Sequence, residues 1–360
     1  YDARGRKLEE AVRITRPSMT GALAGRYAPR WYYKTVAFDA ADREVKASTG
    51  ATVADLLGMN NESAVETTYT NRGAVGSVAG SYGSLVNNVH RTADGLIESI
   101  EYGDIAKTST DFFFDNRRRL KNVQTYRGPP PQWSASPAVI QPAPLSGSLP
   151  TFQLLLQDED FAYDSVNNPV EIRDWRIADE WPAGAKPVTR KVQYDDLNRV
   201  RRVDYQYAAG DDTWTSPFDA ENSGTAALQD PRRATPSPHS SFTMRPLWQA
   251  FEYDWLGNTS KTDDDVGGFH DRSLGSITNN LTNGKPYQLA NASNKSGSST
   301  HKGELSAKYD AAGHLVRLAL ERTGPCLPTP GGCNQIFEYQ WDEVGRLAEA
   351  ARWDLPAGTV

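Results

Sequence analysis

One pattern recurs along these 360 residues: an aromatic, an aspartate, two variable positions, a glycine, an arginine and an apolar residue. Full or degraded copies read YDARGRKLEE from Tyr1, FDAADREVKA from Phe38, YTNRGAVGSV from Tyr69 and FDNRRRLKNV from Phe114. They continue as YDSVNNPVEI from Tyr163, YDDLNRVRRV from Tyr194, YDWLGNTSKT from Tyr253, YDAAGHLVRL from Tyr309 and WDEVGRLAEA from Trp341, with a half-copy, TADGLIESIEY, from Thr92. A chain that keeps repeating one short signature is constrained to fold as a series of like units.

Turn chemistry says what the unit is. The aromatic ends a strand, and an aromatic two residues earlier (Phe251 before Tyr253, Tyr339 before Trp341) shares its face. The aspartate that follows (Asp2, Asp39, Asp115, Asp164, Asp195, Asp254, Asp310 or Asp342) stands first in a β-turn, where its carboxylate accepts a bond from backbone two residues on. Three residues after it, Gly5, Gly257, Gly313 or Gly345 supplies the positive φ that closes the turn or the bulge beside it. Apolar alternation then resumes in a returning strand, as in GRLAEA and GHLVRL. Each copy is therefore a strand, turn, strand module. Asp42 and Arg118 occupy the glycine position in two copies, and these turns are expected to differ in type or register.

The predicted fold is all-β, a long antiparallel strip of hairpins running through residues 1–360 as one continuous segment. Irregular spacing between copies places loop insertions at about 128–150, 209–241 and 279–303, although KPYQLA inside the last is a candidate strand. Helix is confined to a turn or two, as around Val53–Met59. Sixteen tyrosines and nine tryptophans against three methionines suit a pleated sheet. No apolar run reaches the roughly 20 residues that span a bilayer, and a net charge of −6 argues against a nucleic-acid partner. Beginning at Tyr1, the chain reads as a middle piece of a longer polypeptide. Cys326 and Cys333 lie close together in GPCLPTPGGC, and the sequence leaves open whether they pair.

The chemistry-bearing residues point away from catalysis. The repeated aspartates are explained by their turns, so no catalytic, cofactor or metal site is assigned, and the chain is read as a non-enzyme. The run Asp263–Asp265 lacks the alternating ligands of a calcium loop and reads as a solvated turn. The histidines at 90, 239, 270, 301 and 314 show no metal-ligand spacing, and His314, where arginine normally stands, reads as a surface strand residue. Glycines in GAVGSVAGSYGS (73–84) serve bends, since strand and turn, not helix, follow them.

The recurring signature resembles that of the YD-repeat, or RHS-repeat, proteins along essentially the whole chain. IEYGDIAKTSTDFFFDNRRRLKNVQTYR (100–127), FQLLLQDEDFAYDSVNNPVEIRDW (152–175) and VQYDDLNRVRRV (192–203) are similar to the shell region of bacterial RHS toxins and of the B and C components of Tc (ABC-type) toxin complexes. The resemblance implies a strip that spirals into a hollow shell, a segment of a secreted toxin that encapsulates and delivers a toxic C-terminal passenger. It implies as partners the rest of the shell or companion subunits, and the passenger. The aspartate-dependent self-cleavage segment of that family has no counterpart here. The rival reading is a surface-displayed carbohydrate-binding or cell-contact module, with cell-surface glycans as partners, whose Tyr and Trp rings stack on sugars.

Overall fold

The computed structural model describes residues 1–13, 31–104, 106–127, 155–176, 186–209, 245–280, 284–296, 301–323 and 334–355, and the backbone of 133–136 and 139–142. Cys326, Cys333 and most of 128–150 and 209–241 lie outside the described residues. The chain divides into two units, Tyr1–Glu159 and Asp160–Val360.

The first unit holds β1 (Glu9–Arg13), β2 (Trp31–Phe38), β3 (Glu44–Ser48), β4 (Ala64–Tyr69), β5 (Val75–Gly80) and β6 (Gly83–Arg91). It continues with β7 (Ile97–Tyr102), β8 (Ser109–Phe114), β9 (Leu120–Tyr126), β10 (Trp133–Ser136) and β11 (Val139–Pro142). The last two pair only with each other. A short 3₁₀ turn, Ala54–Leu56, falls inside the predicted helical stretch. Strand β12 (Leu155–Tyr163) carries the boundary between the units.

The second unit continues with β13 (Pro169–Asp174), β14 (Val188–Tyr194), β15 (Val200–Tyr207), β16 (Trp248–Tyr253), β17 (Thr259–Asp264) and β18 (Gly275–Asn280). It ends with β19 (Lys285–Ser293), β20 (Gly303–Tyr309), β21 (Leu315–Arg322), β22 (Asn334–Trp341) and β23 (Leu347–Leu355). KPYQLA is thus the start of the nine-residue strand β19.

Pairing joins 21 strands in one sheet, and every pair of known register is antiparallel between neighbours in the chain. No pairing among the described residues links the first strand to the last. No helix among them is long and apolar enough to cross a membrane.

Period-two alternation gives the sheet two unlike faces. In the β14–β15 hairpin, Val188, Val192 and Tyr194 stand opposite Tyr207, Val203 and Val200 on one face. Lys191 and Gln193 stand opposite Asp204 and Arg202 on the other. The register is the same in the repeat hairpins whose pairing is known. The motif aromatic faces the sixth residue after it, as in Phe38–Glu44, Tyr69–Val75, Phe114–Leu120, Tyr253–Thr259, Tyr309–Leu315 and Trp341–Leu347. A one-residue shift in pairing immediately precedes that aromatic each time, the signature of a bulge.

Full burial is sparse. In the second unit it centres on one cross-strand row, Ile277, Ala292, Leu305 and Leu320, with Ala292, Leu305 and Leu320 buried and Ile277 packed at the margin. The connection between β17 and β18 folds over this row and drives the buried Phe269 onto it, held by a bond from its N–H to the His301 carbonyl at 3.3 Å. Phe269 can approach because β20 begins with glycine: a Cβ on Gly303 would sit 2.2 Å from the Phe269 ring and 2.8 Å from the Glu321 carbonyl. In the first unit the buried positions mix Ala64, Val123 and Leu155 with polar Thr110, Gln124 and Asp158. There Thr110 and Thr125 share a hydroxyl bond at 2.9 Å, and Asp158 accepts from Asn122 at 2.9 Å.

Gly303→Ala should destabilise the chain by about 1–3 kcal/mol, the usual cost of overpacking. A lowered urea midpoint at unchanged slope would register it; an unchanged midpoint would show that Phe269 does not depend on the close approach.

Candidate functional site

The residues singled out by the sequence lie at the hairpin tips. At Asp254 the main-chain N–H donates to the Asn258 carbonyl at 2.9 Å, and the Gly257 N–H donates to the Asp254 carbonyl at 3.1 Å. This is a type I turn closed by a left-handed residue, the G1-bulge hairpin. The Asp254 carboxylate fills the inside of the turn: Oδ1 accepts from the N–H groups of Leu256 at 2.9 Å and Asn258 at 2.8 Å, and Oδ2 accepts from the Asn258 amide at 2.9 Å. Asp2, Asp39, Asp115, Asp164, Asp195 and Asp342 bond in the same way two and four residues on, and Asp310 accepts from the His314 N–H at 2.8 Å. Thr70 and Thr92 open turns of the same backbone pattern.

The left-handed position is Gly5, Gly257, Gly313 or Gly345 in four of the aspartate turns, and Gly73 and Gly95 in the two threonine turns. The expectation of a different turn at Asp42 and Arg118 is corrected. Both adopt the same conformation, φ 62° and 64°, with the same bonds around Asp39 and Asp115. The bonding of the turn outweighs the strain of a side chain at positive φ, about 1–2 kcal/mol.

The position after the left-handed residue does work that the sequence reading left unexplained. The Nε atoms of Arg6, Arg43, Arg119, Arg199 and Arg346 donate to the second carboxylate oxygen of their own turn at 2.6–2.9 Å. Three of these guanidinium groups also lie over the motif aromatic of the next hairpin: Arg6 on Phe38 at 4.7 Å, Arg43 on Tyr69 at 4.7 Å and Arg199 on Tyr253 at 4.5 Å. The aromatic reaches back in turn. The hydroxyls of Tyr69, Tyr194 and Tyr253 donate to the carbonyls of Glu44, Pro169 and Val200 at 2.7–2.9 Å, and the Trp341 indole N–H donates to the Leu315 carbonyl at 2.8 Å. In every case the acceptor directly follows the arginine, asparagine or histidine of the preceding turn.

His314 belongs to this scheme and is not a surface strand residue. Its Nδ1 lies 3.0 Å from Asp310 Oδ2, and its ring stacks on Trp341 with centroids 5.0 Å apart. Aspartate, base and the next aromatic thus form a staple between consecutive hairpins. The signal for it was present as the recurrence of arginine after the glycine position.

The staples set the electrostatics. Hydrogen bonds from the backbone N–H of Arg43, Arg199 and Arg346, joined by their guanidinium groups, hold Asp39, Asp195 and Asp342 below the ordinary 3.8. For Asp2 the Arg6 guanidinium is the chief cause. Burial raises the hydroxyls of Tyr194 and Tyr253. Away from the tips, burial raises Asp111, which accepts from Tyr126 at 2.9 Å, and burial with that carboxylate pushes Tyr126 up to about 12.

The acidic run is also corrected. Asp264 is buried, not solvated, and its Oδ1 accepts from the N–H groups of Val266 and Gly268, both at 3.0 Å. Asp265 accepts from the Leu247 N–H at 3.0 Å, and Asp263 lies 3.4 Å from Lys261. A cavity of about 520 Å³ opens beside them, lined by Trp248, Lys261, Asp263, Ser276, Ser293 and Asn294 among others. None of the turn aspartates lines it. Among the described residues no cluster of three or more His, Cys, Asp or Glu side chains could hold a metal ion.

No family model matches the chain, and no curated protein does. Solved structures do. The chain is similar to TcdB2-TccC3. Against TcdB2-TccC3 without its hypervariable C-terminal region the identity is 10% and the TM-score 0.40, covering 99% of this chain and 16% of that one. Against TcdB2-TccC3 itself the identity is 13% and the TM-score 0.36, covering 96% and 19%. A Photorhabdus luminescens Tc holotoxin pore matches at 12% identity and a TM-score of 0.33, covering 96% and 18%. This chain therefore spans less than a fifth of the length of those three chains.

Two outcomes follow from the tip geometry. Gly257 has φ +88° and open space where a Cβ would stand, so Gly257→Ala isolates backbone strain and should cost about 1–2 kcal/mol in urea unfolding. The turn carboxylates have folded values below the unfolded 3.8, so their contribution is complete above that value and lost as pH falls through the folded values. Thermal midpoints should stay level from neutral pH down to about 5 and then fall, less steeply in Asp195→Asn; an equally steep fall in the variant would remove Asp195 from the account.

Proposed function

We propose that this chain is a length of wall in a secreted bacterial toxin shell of the RHS or Tc type, which encloses a toxic C-terminal passenger and keeps it from the cell that makes it. The observation that carries this reading is the staple. One hairpin design is repeated, and at four junctions (Arg6–Phe38, Arg43–Tyr69, Arg199–Tyr253 and His314–Trp341) a copy is bonded to the next through aspartate, base and aromatic. That is the construction of a continuous wall. The role of the turn residues is structural, since each carboxylate is spent inside its own turn and none meets another at a cleft. The rest of the shell, or companion subunits, would continue the strip, and the passenger would lie against one face.

The rival reading, a glycan or cell-contact module, needs free aromatic faces. The motif aromatics Tyr69, Tyr253 and Trp341 carry a cation or a stacked ring and spend their polar atom on backbone, which weighs toward the wall.

Limited proteolysis of the intact parent polypeptide tests the proposal. The segment downstream of Val360 should be cleaved at least about tenfold more slowly in the intact protein than after Arg199→Ala and Tyr253→Ala are introduced together, because cleavage tracks the open population. Equal cleavage in both proteins would overturn containment.

A further inference from the structure

The two units treat their hairpin tips differently. In the first unit the tip side chains tie neighbouring turns together. Arg4 pairs with Asp42 at 2.7 Å, Arg72 donates to the Ala93 carbonyl at 2.6 Å, and Arg118 pairs with Asp94 at 2.8 Å. In the second unit the tips instead present apolar side chains to solvent: Val166 is 60% exposed, Leu197 70%, Trp255 82%, Tyr287 73% and Val344 65%.

These five are not scattered. Val166, Leu197, Trp255 and Val344 sit in the turns that follow β12, β14, β16 and β22, and Tyr287 lies close to the start of β19. In an antiparallel meander these connections fall at one end of the strands. Successive tips are two strand spacings, roughly 10 Å, apart. Contacts between tips keep them in line: Asn168 donates to Asn198 at 2.9 Å, and Asn258 donates to the Pro286 carbonyl at 3.3 Å. Single exposed apolar residues are ordinary on a soluble surface, whereas the run of four consecutive tips bearing Val166, Leu197, Trp255 and Tyr287 marks a contact surface, with Val344 beyond the alanines of the turn after β20.

Charge narrows the occupant. Asp196 and Glu343 are exposed beside Leu197 and Val344, while Arg199 and Arg346 in the same turns are held by Asp195 and Asp342. Lys285, near Tyr287, is the cation on the other side of the balance. Uncompensated acids disfavour an anionic membrane surface. We infer that the tip row of the second unit is a docking stripe for a partner protein, one whose facing surface carries aliphatic side chains flanked by lysine or arginine. This stands apart from the containment reading, since the staple uses the first and fifth residues of a turn and places no demand on the exposed second and third.

Photo-crosslinking in the parent polypeptide, in the cells that make it, tests the inference. Benzoylphenylalanine is placed at Leu197 or Val344, and at Arg72 or Arg117 as first-unit controls. The expected result is one shared adduct from both second-unit positions and none from the controls. Its crosslinked peptide should contain aliphatic residues and at least one lysine or arginine. Trp255→Ser should reduce it about tenfold, the effect of losing a central aromatic anchor, with the circular dichroism unchanged. Different adducts from the two positions, equal adducts from the controls, a peptide without a cation, or binding of the parent protein to phosphatidylcholine vesicles that Trp255→Ser abolishes would each overturn it.

Discussion

The structure depends on a carboxylate enclosed by a turn. A type I turn with a left-handed closing residue leaves main-chain N–H groups pointing inward, and an aspartate at its first position accepts two of them with a single oxygen. The other oxygen is then free to fix a guanidinium, and a guanidinium held flat becomes a platform for an aromatic ring. One residue choice thereby organises local backbone, a side-chain pair and the contact with the next hairpin.

A single sheet layer needs such a device. Two-layer proteins bury an apolar face of one sheet or helix against another. Here, complete burial of apolar side chains among the described residues is limited to a few positions, such as Leu155 in the first unit and Phe269, Leu305 and Leu320 in the second. Stability has to come from ladders and from contacts between adjacent hairpins, which makes it approximately a sum of nearest-neighbour contributions, as in solenoids. A staple between neighbours strengthens each of those contributions. Where the row Ile277–Ala292–Leu305–Leu320 gathers an apolar surface, the chain supplies a local cover through Phe269.

Much of this was legible in the residues. The aspartate and the glycine three positions later announce a turn because each has one strong local preference, and the aromatic announces the strand before it. What escaped was what depends on partners distant in sequence. The arginine after the turn was part of the signature but had no role there, because its ring lies in the next repeat, about 25 to 55 residues on for Arg6, Arg43 and Arg199. His314 was misjudged for the same reason: Trp341 is what gives it a role. Asp42 and Arg118 looked like defects because conformational preference was weighed without the bonds that override it. The buried Asp264 read as solvated because nothing in DDDVGG reveals that the following loop folds back over a neighbouring strand.

The uniform register has a consequence for how such a chain can change over time. The repeat turns after β2, β4, β6, β8, β12, β14, β16, β20 and β22 are all five residues long, whereas connections at the opposite strand ends, such as 14–30, 208–247 and 323–333, differ in length. One margin is thus conserved in geometry and the other is open to insertion. Because the pairing offset is shared by the repeat hairpins of known register, a duplicated or exchanged hairpin of that kind would arrive already in phase with its neighbours. A lineage could lengthen, shorten or redecorate the wall by recombination without having to rediscover how its strands align.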